Sequence, residues 1–428
     1  MNQFQAFCER YRQCFTYKQG KPRKVGIEKE ILVTDSDGYM ADLHDKVWPY
    51  FKTLGLKESR DIYYKDETVG FYVGKDQITT DAGQGTFEVI LEPYLTVQEV
   101  ERHLKTVLRV LYEACEKENY SVLGMAFQPR SRAGKRHWNR KQRYEILLDV
   151  FKKKIYQNAL SASDQAHIDV TPEEIIPVTN MMNGLAGFML FLFANSAVRF
   201  GRINKFKNYR ELLWDVMGKS RTGIPVAPFT SLEDYLTRMW NLKCVVARKG
   251  DRYFSPGKKF KDFVKGKSPE DTFKAFETHE GTLWFCARPR IYGTVEVRPT
   301  CIQPWDDMVT VAAFTLGIVQ NKNESEAFLK DFKWPELRML RYQAGHKNWG
   351  HKINGDTVAN HIGKILQFSK KGLVMRGEGE ETYLETLFAR WKAKESPADK
   401  ASKYFRQGGI SLVIKHASLR EKHLKGTE

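Results

Sequence analysis

The sequence is poor in cysteine, with six in 428 residues, at positions 8, 14, 115, 244, 286 and 301. They form no Cys-x-x-Cys pair and no zinc-type spacing, a pattern typical of reduced cytosolic thiols, so we expect neither structural disulfides nor a zinc site. The N-terminus lacks a basic-then-apolar leader, and we therefore predict a cytoplasmic protein. The most apolar run, residues 185–194, is shorter than the roughly 20 residues that span a bilayer, so no membrane partner is predicted.

Familiar nucleotide and hydrolase motifs are also missing: there is no Walker A, Gly-x-Gly-x-x-Gly, kinase or Gly-x-Ser-x-Gly signature. Any phosphate site must therefore be built from a sheet and its side chains. Acidic residues are in deficit, since the net charge is +17 and the excess lies mainly in residues 130–154 and 248–267. Such patches attract nucleic acid, steer a polyanionic nucleotide or maintain solubility. Nucleic acid is the less favoured alternative, because no reader motif or regular aromatic interleaving accompanies the charge.

Four segments share one two-faced strand pattern, at residues 25–33, 83–89, 163–170 and 293–299. Successive side chains of a strand point to opposite faces, so each segment has an apolar face for the core and a polar face. Such two-faced strands are typical of antiparallel sheets. The polar faces carry acids, an amide, a histidine and an arginine: Glu28 and Glu30, Glu88, Gln165 and His167, Glu296 and Arg298.

Neighbouring carboxylates repel one another unless cations lie between them, and oxygen ligands suit Mg²⁺. The polar face therefore predicts a pocket with two or three Mg²⁺ ions that neutralise nucleotide phosphates during phosphoryl transfer. Arg298 on the sheet and Arg221 in a glycine-containing loop would complete the phosphate site. We predict that Glu296→Ala or Arg298→Ala lowers turnover without unfolding the chain, because the apolar face of the sheet is untouched.

The rest of the chain predicts an α+β protein in which helices cover a curved antiparallel sheet. The clearest helix spans residues 96–118, where Thr96 and Glu99 form a capping box and the apolar stripe would cover the sheet's apolar side. We divide the chain into a catalytic core, residues 1–320, and a helical C-terminal region, residues 321–428, with a polar linker at residues 392–403. The oligomeric state is left open.

Seven motifs then occur in a fixed order and resemble the glutamate–cysteine ligase family of the plant and bacterial carboxylate–amine ligase type. They are Gly-Ile-Glu-Lys-Glu (26–30), Gln-Gly-Thr-Phe-Glu (84–88), Gln-Ala-His-Ile-Asp (165–169), Ala-Asn-Ser (194–196), Arg-Thr-Gly (221–223), His-Glu-Gly-Thr-Leu-Trp (279–284) and Thr-Val-Glu-Val-Arg (294–298). The resemblance implies a glutamine-synthetase-like fold, in which the sheet forms a funnel, and the use of ATP and Mg²⁺. It also implies that the γ-carboxylate of glutamate is phosphorylated and that the amine of cysteine then captures the acyl phosphate, the first step of glutathione-type thiol synthesis.

The resemblance also assigns roles to residues at the matching positions. Ala197 departs from the family, which usually has proline there, so another carboxylate or amine substrate stays an alternative, as does a phosphotransferase of the same fold. The implied roles are metal binding by Glu28, Glu30, Glu88 and Glu296, catalysis and phosphate contact by Arg298 and Arg221, nucleotide contact by Asn195 and Ser196, and substrate contact by Gln165, His167 and His279.

Overall fold

The structure is a computed structural model that describes residues 2–425. Within them, nine strands form one antiparallel sheet: β1 Val25–Thr34, β2 Lys57–Arg60, β3 Thr68–Val73, β4 Asp76–Thr80, β5 Thr86–Tyr94, β6 Ser121–Leu123, β7 Asp164–Asp169, β8 Ala287–Arg290 and β9 Thr294–Val297. Their order in the sheet is β8-β9-β7-β1-β5-β4-β3-β2, and β6 pairs with the C-terminal part of β1. The four predicted strands are β1, β5, β7 and β9, which are neighbours in this order, so the prediction of an antiparallel α+β fold is confirmed.

Helices and small strand pairs make up most of the remainder. The longer helices are Gln3–Gln13, Val97–Lys117, Gln142–Phe151, Ile175–Leu192, Leu232–Trp240, Pro269–Glu280, Thr310–Gln320, Lys322–Leu329, Trp334–Gln343, Val358–Arg376, Glu385–Ala393 and Pro397–Ala417. Shorter helices and 3₁₀ turns are Leu43–Lys46, Trp48–Thr53, Lys135–His137, Lys152–Leu160, Tyr209–Leu212, Leu213–Met217, Phe260–Val264, Trp305–Asp307, Glu380–Leu384 and Glu421–Leu424. The small pairs join Val198–Arg199 to Arg202–Ile203, Thr222–Gly223 to Trp284–Phe285, Ala247–Lys249 to Arg252–Phe254 and Lys352–Ile353 to Asp356–Thr357.

The apolar face of the sheet is covered by two helices. Val97–Lys117 packs on β5 and β1, and Thr310–Gln320 packs on β7. The capping box at Thr96 and Glu99 is present as predicted. One charged pair lies on this apolar face, where Lys29 of β1 stands directly opposite Asp164 of β7 and forms an ion pair with it. Both side chains are buried, so the lysine is held by a charge partner.

The C-terminal helices pack on the core, as the sequence predicts. Val358–Arg376 lies against Thr310–Gln320, and Trp334–Gln343 lies against Ile175–Leu192. By length and composition alone, Ile175–Leu192 could cross a membrane, but 83% of that window is buried inside the protein. A domain division at residue 320 stays a prediction.

The predicted linker at residues 392–403 is wrong, because most of it belongs to helices. Glu385–Ala393 ends inside it, and Pro397–Ala417 begins inside it. Ser396 forms a capping box with Asp399, and Pro397 occupies the first turn, where its missing N–H costs no hydrogen bond. The Ser-Pro-Ala-Asp sequence was the helix-start signal.

Candidate active site

Strand register brings the predicted polar residues together on one face of the sheet. Glu30 of β1 stands opposite Glu88 of β5, while Glu28 stands opposite Gln165 of β7. On the far side of β7, His167 stands opposite Glu296 of β9. The period-two pattern of each strand therefore becomes a continuous polar surface across four strands.

This surface forms the floor of a cavity of about 210 Å³. The opposite wall consists of loops and the helix Gln142–Phe151, which bring aromatic and apolar side chains over the sheet. The residues that line the cavity are Glu28, Glu30, Asp81, Ala82, Glu88, Ile90, Trp138, Arg143, Tyr144, Leu147, Asn158, Gln165, Trp214, Met217, Gly281, Trp284, Arg288, Arg290 and Arg298.

One end of the cavity is acidic, with Glu30, Asp81 and Glu88 together, and Arg210, whose Nη2 lies 3.9 Å from Glu30 Oε1, offsets part of that charge. Burial and the charge of Asp81 raise the pKa of Glu30 to about 7. Burial, reinforced by the charges of Asp81, Glu28 and Glu30, raises the pKa of Glu88 well above its usual range. Burial is the larger cause for both groups and mutual repulsion adds to it, so a cation placed between these carboxylates would stabilise their ionised forms.

The donor set at this acidic end fits Mg²⁺. Carboxylate oxygens are the ligands that hard divalent cations prefer. Glu30 Oε1 accepts a hydrogen bond of 2.9 Å from Gln165 Nε2. Within residues 2–425 no protein donor is hydrogen-bonded to the carboxylate of Glu88. Both groups therefore have lone pairs for a metal, whereas neutral or cationic partners would have satisfied them in a purely structural cluster.

The other end of the cavity is organised around Glu296, which is fully buried. Arg288 donates to both of its oxygens, from Nε at 2.8 Å and Nη2 at 3.2 Å, and Arg290 and Arg298 each donate one further bond. Burial alone would raise the pKa of Glu296, but the charges of Arg288, Arg298 and Arg290 outweigh it and hold the pKa well below its usual range.

This setting differs from the metal-binding role that the sequence predicts for Glu296. A ligand atom of Glu296 lies close to one from Glu28 and one from His167, all within 4.8 Å of one another. Its oxygens are nevertheless already bonded to guanidinium groups, and three neighbouring positive charges oppose a cation there. Glu296 is thus the counter-ion of an arginine cluster, and a metal-binding role for it stays a prediction.

Two of these arginines keep hydrogen-bond donors for a ligand. Arg298 uses Nη1 to bond Gln165 Oε1 and Glu296 Oε1, and Arg290 uses Nε and Nη1 to bond Glu280 and Glu296. Among the described residues, no acceptor is paired with Nη2 of either guanidinium group. Fixed guanidinium donors of this kind suit phosphoryl and carboxylate oxygens.

Glu28 and His167 link the two ends. His167 Nε2 lies 3.1 Å from Glu28 Oε1, and His167 Nδ1 lies 3.3 Å from the hydroxyl of Thr294. Burial would raise the pKa of Glu28, but the charge and hydrogen bond of His167 outweigh it and lower that pKa. Glu28 therefore stays ionised more readily than Glu30 and Glu88.

Six of the predicted site residues do not line the cavity: Glu296 and His167, which border its floor, and Arg221, His279, Asn195 and Ser196, which lie farther from it. Arg221 is buried and donates to the carbonyl oxygens of Lys243, at 2.7 Å, and Thr282. His279 is buried against Met239 O at 3.1 Å, and burial lowers its pKa to about 3. Neither residue lines the cavity, and each contacts the backbone of a neighbouring segment instead.

Asn195 and Ser196 are likewise occupied by the backbone. Asn195 Nδ2 donates to Gly124 O and Ile302 O, at 2.9 and 2.8 Å. The hydroxyl of Ser196 donates to Lys207 O and accepts from a backbone N–H. Both residues follow the helix Ile175–Leu192, and their hydrogen bonds connect this part of the chain to the neighbouring backbone segments. Neither residue lines the cavity.

Sequence reasoning missed several lining residues. Asp81 directly follows β4, and Tyr144 donates to it at 2.6 Å. Arg288 and Arg290 share the polar face of β8 by the same period-two rule that found Glu296 and Arg298, so an Arg-x-Arg strand beside them was the available signal. Trp138, Trp214 and Trp284 come from loops and short elements that carry no periodic signal, and they are the larger part of the aromatic wall.

The raised pKa of Glu30 gives a stability prediction. Between the usual value of 4.5 and about 7, the folded protein holds a proton on this carboxyl that the unfolded chain releases. Its contribution to stability is therefore full below about pH 4.5 and is lost as pH rises through about 7. Without ligands, the advantage of Glu30→Gln over the parent protein in urea midpoint should grow between pH 5 and pH 8. Parallel curves for the two proteins would contradict the assignment. The control is Glu336→Gln, because the side chain of Glu336 is exposed.

The sheet and its cavity are those of a ligase with glutamine-synthetase-like architecture. The chain belongs to the glutamate–cysteine ligase family 2, whose sequence pattern matches residues 24–416. Chloroplastic glutamate–cysteine ligase B of Oryza sativa subsp. japonica is 23% identical over 398 residues, covering 88% of this chain and 79% of the relative. The chloroplastic enzyme of Arabidopsis thaliana is 25% identical over 398 residues, covering 88% and 74%.

Two solved structures share the fold. Glutamate–cysteine ligase of Francisella tularensis in complex with AMP superposes with a TM-score of 0.58 at 12% identity, covering 94% of this chain and 89% of the other. A bifunctional glutathione synthetase from Pasteurella multocida gives 0.55 at 12% identity, covering 99% of this chain and 53% of the other. At such identity these two likenesses concern the fold alone.

Proposed function

We propose that this protein is an ATP-dependent ligase that joins the γ-carboxylate of glutamate to the amine of cysteine, the first step of glutathione-type thiol synthesis. The observation that carries the proposal is the cavity of a chain that belongs to this family. The cavity combines a cluster of carboxylates at one end with guanidinium donors at the other. Phosphoryl transfer to a carboxylate needs both, since anionic reactants must be brought together and the charge of the transition state stabilised.

The proposed reaction has two steps. An oxygen of the γ-carboxylate attacks the γ-phosphorus of ATP, ADP leaves, and a γ-glutamyl phosphate remains. The nitrogen of the amine then attacks the acyl carbon and loses a proton, and inorganic phosphate leaves from an amide product. Arg298 and Arg290 would direct Nη2 donors at phosphoryl oxygens, and Gln165 holds Arg298 in place through its Oε1.

Glu28, Glu30 and Glu88 are the residues that would hold Mg²⁺, with Asp81 beside them. Bound there, Mg²⁺ would neutralise phosphate charge and act as a Lewis acid. Gln165 bonds both Glu30 and Arg298, so one amide side chain fixes the acidic end relative to the basic end. The floor is thereby preorganised, and little rearrangement is required when the anionic substrates enter.

The test is a product assay on purified protein with Mg·ATP, glutamate and a panel of amines, with ADP and the amide measured together by mass spectrometry. ADP and γ-glutamylcysteine that form only with both amino acids would support the proposal. Turnover with a different amine would keep the reaction and change the acceptor, which is the alternative that Ala197 leaves open. ADP release without an amide would favour a phosphotransferase instead.

A cytoplasmic location is part of the proposal. It rests on the cysteines, because all six thiols are free. The names of both plant relatives reported above include the word chloroplastic. Fractionation of the source cells is therefore the direct measurement of where this protein is located.

The basic segment around the cavity mouth gives a second prediction. Residues 130–154 supply four lining side chains, and Gln142 accepts a 2.6 Å bond from Tyr253 N, which brings in the basic residues near 248–254. We expect this rim to attract anionic substrates, so kcat/KM for Mg·ATP should fall as salt rises. Reversing the exposed Lys152, Lys153 and Lys154 to Glu should lower kcat/KM about tenfold with kcat unchanged.

The matched control is the same charge reversal on the exposed lysines 347, 364 and 370 of the C-terminal region. It changes the net charge equally but lies outside the cavity rim. Equal effects of the two triple variants would show that net charge, and not the rim, governs the salt dependence.

A further inference from the structure

Asn158 has a buried side-chain amide without a hydrogen-bond partner. The residue is 3% exposed, and within residues 2–425 neither its Oδ1 nor its Nδ2 has a partner. An amide that loses water and gains nothing destabilises the fold, whereas an apolar side chain of similar size at this position would avoid that penalty. Such a group in a native protein calls for a ligand, a water or an ion.

Other buried asparagines show the ordinary outcome. Asn183 donates to Thr179 O and Ala287 O and accepts from Ala287 N, and Asn195 donates to two carbonyl oxygens. The amide of Asn208 is also unpartnered, but Asn208 does not line the cavity. Asn158 combines an unpartnered amide with a place in the cavity wall, and that combination is what points to a ligand.

The backbone around Asn158 is fixed. It lies near the end of the 3₁₀ helix Lys152–Leu160, where Ser161 donates to Asn158 O from its backbone N, at 3.2 Å, and from its hydroxyl, at 3.0 Å. Trp138 lines the same cavity and its buried Nε1 is unpartnered too. Two unsatisfied polar groups in one small cavity indicate a recognition site that protein groups alone do not complete.

The chemistry of the cavity limits the classes of ligand that would fit it. A primary amide offers an acceptor oxygen and two N–H donors, so a matching group presents a donor beside an acceptor. The cavity also holds carboxylates, which favour an ammonium group, and guanidinium groups, which favour a carboxylate. Its volume of about 210 Å³ is below the roughly 300–1,000 Å³ of pockets for drug-sized ligands, so it suits a free amino acid better than a whole nucleotide.

We propose that Asn158 recognises the α-amino-carboxylate head of an amino-acid substrate, with Oδ1 accepting from the ammonium group and Nδ2 donating to the carboxylate. The side chain needs only a rotation about its last torsion to direct either atom into the cavity, and that torsion is soft in asparagine. The inference rests on the proposed ligase function, in which the carboxylate donor and the amine acceptor both carry this head. Asn158 is then a specificity residue that binds substrate and takes no part in the bond changes.

The test compares Asn158→Leu and Asn158→Asp with the parent protein. In Asn158→Leu, KM for one amino acid should rise about tenfold or more, as expected when hydrogen bonds to a charged group are lost, and KM for Mg·ATP should stay unchanged. Asn158→Asp keeps the acceptor and loses the donors, so it should also raise that KM. Whether the KM of glutamate or of the amine changes identifies which head is bound.

Thermal melting supplies a readout that does not depend on turnover. Asn158→Leu should melt no lower than the parent protein while losing the stabilisation by glutamate or by cysteine that the parent shows. Asn183→Leu is the contrasting variant, because the amide of Asn183 is fully hydrogen-bonded to the backbone. Its melting temperature should be lower than that of the parent protein. A lower melting temperature for Asn158→Leu with unchanged KM values would overturn the inference, and so would a change confined to KM for ATP.

The two proposals fail in different ways. If the parent protein forms no amide with any amine, the proposed function fails, and the melting shifts by amino acids still decide the role of Asn158. If the parent turns over normally and both Asn158 variants keep its KM values and ligand-induced shifts, the inference about Asn158 fails alone.

Discussion

Glu296→Ala is expected to lower the free energy of unfolding by about 3–5 kcal/mol, the usual cost of removing one partner from a buried ion pair. The carboxylate is fully buried and bonds Arg288, Arg290 and Arg298. Without it, those guanidinium groups repel one another in a site with little water to screen them. Urea denaturation followed by circular dichroism measures the change.

Glu28→Ala is the matched control for this experiment. Glu28 lies on the same face of the sheet, but its ion-pair contact is with His167 and it borders the cavity. We expect Glu28→Ala to lower the free energy of unfolding far less than Glu296→Ala does. An unchanged urea midpoint for Glu296→Ala would contradict the anchoring role. The milder outcome that the sequence predicts for Glu296, lost turnover with an intact fold, assumes a metal ligand open to the cavity, whereas the structure shows a counter-ion.

Glu88→Gln is expected to have the opposite profile, with turnover reduced about 100-fold or more and stability maintained or raised. The carboxylate is raised in pKa by burial and by Asp81, Glu28 and Glu30, so a neutral amide relieves repulsion in the ligand-free protein. The same change removes an oxygen from the proposed Mg²⁺ site, and electrostatic stabilisation of this kind is worth several kcal/mol in the transition state.

Turnover as a function of Mg²⁺ concentration, together with thermal melting, tests this prediction. Melting should show a smaller stabilisation by Mg²⁺ in the variant than in the parent protein. Glu92→Gln is the control, because Glu92 is an exposed acid at the other end of the same strand. Near-parental turnover in Glu88→Gln would remove Glu88 from the metal site.

The sequence was sufficient to predict the faces of the central strands, and not their partners. Alternation in residues 25–33 places Glu28 and Glu30 on one face whatever the neighbouring strand is, because it is a local property of an extended chain. That Glu296 meets Arg288 depends on the hairpin between β8 and β9, and on the register it sets. Register depends on long-range packing, which a single strand does not encode.

The motif positions and the positions that line the cavity coincide only in part. Arg221 and His279 stand where the family resemblance places functional residues, yet their polar atoms bond backbone carbonyls behind the cavity. Asn158 belongs to none of the seven motifs and lines the cavity.

The ion pair between Lys29 and Asp164 has a consequence for how the chain reaches this arrangement. The two residues face each other across β1 and β7 on the apolar side of the sheet. If β1 slid by two residues, its pattern of faces would be kept, but the lysine would lie opposite an apolar side chain and both charges would be buried alone. The pair therefore favours one register of β1 against β7 over other registers that would bury the same apolar side chains. In the favoured register Glu28 stands opposite Gln165.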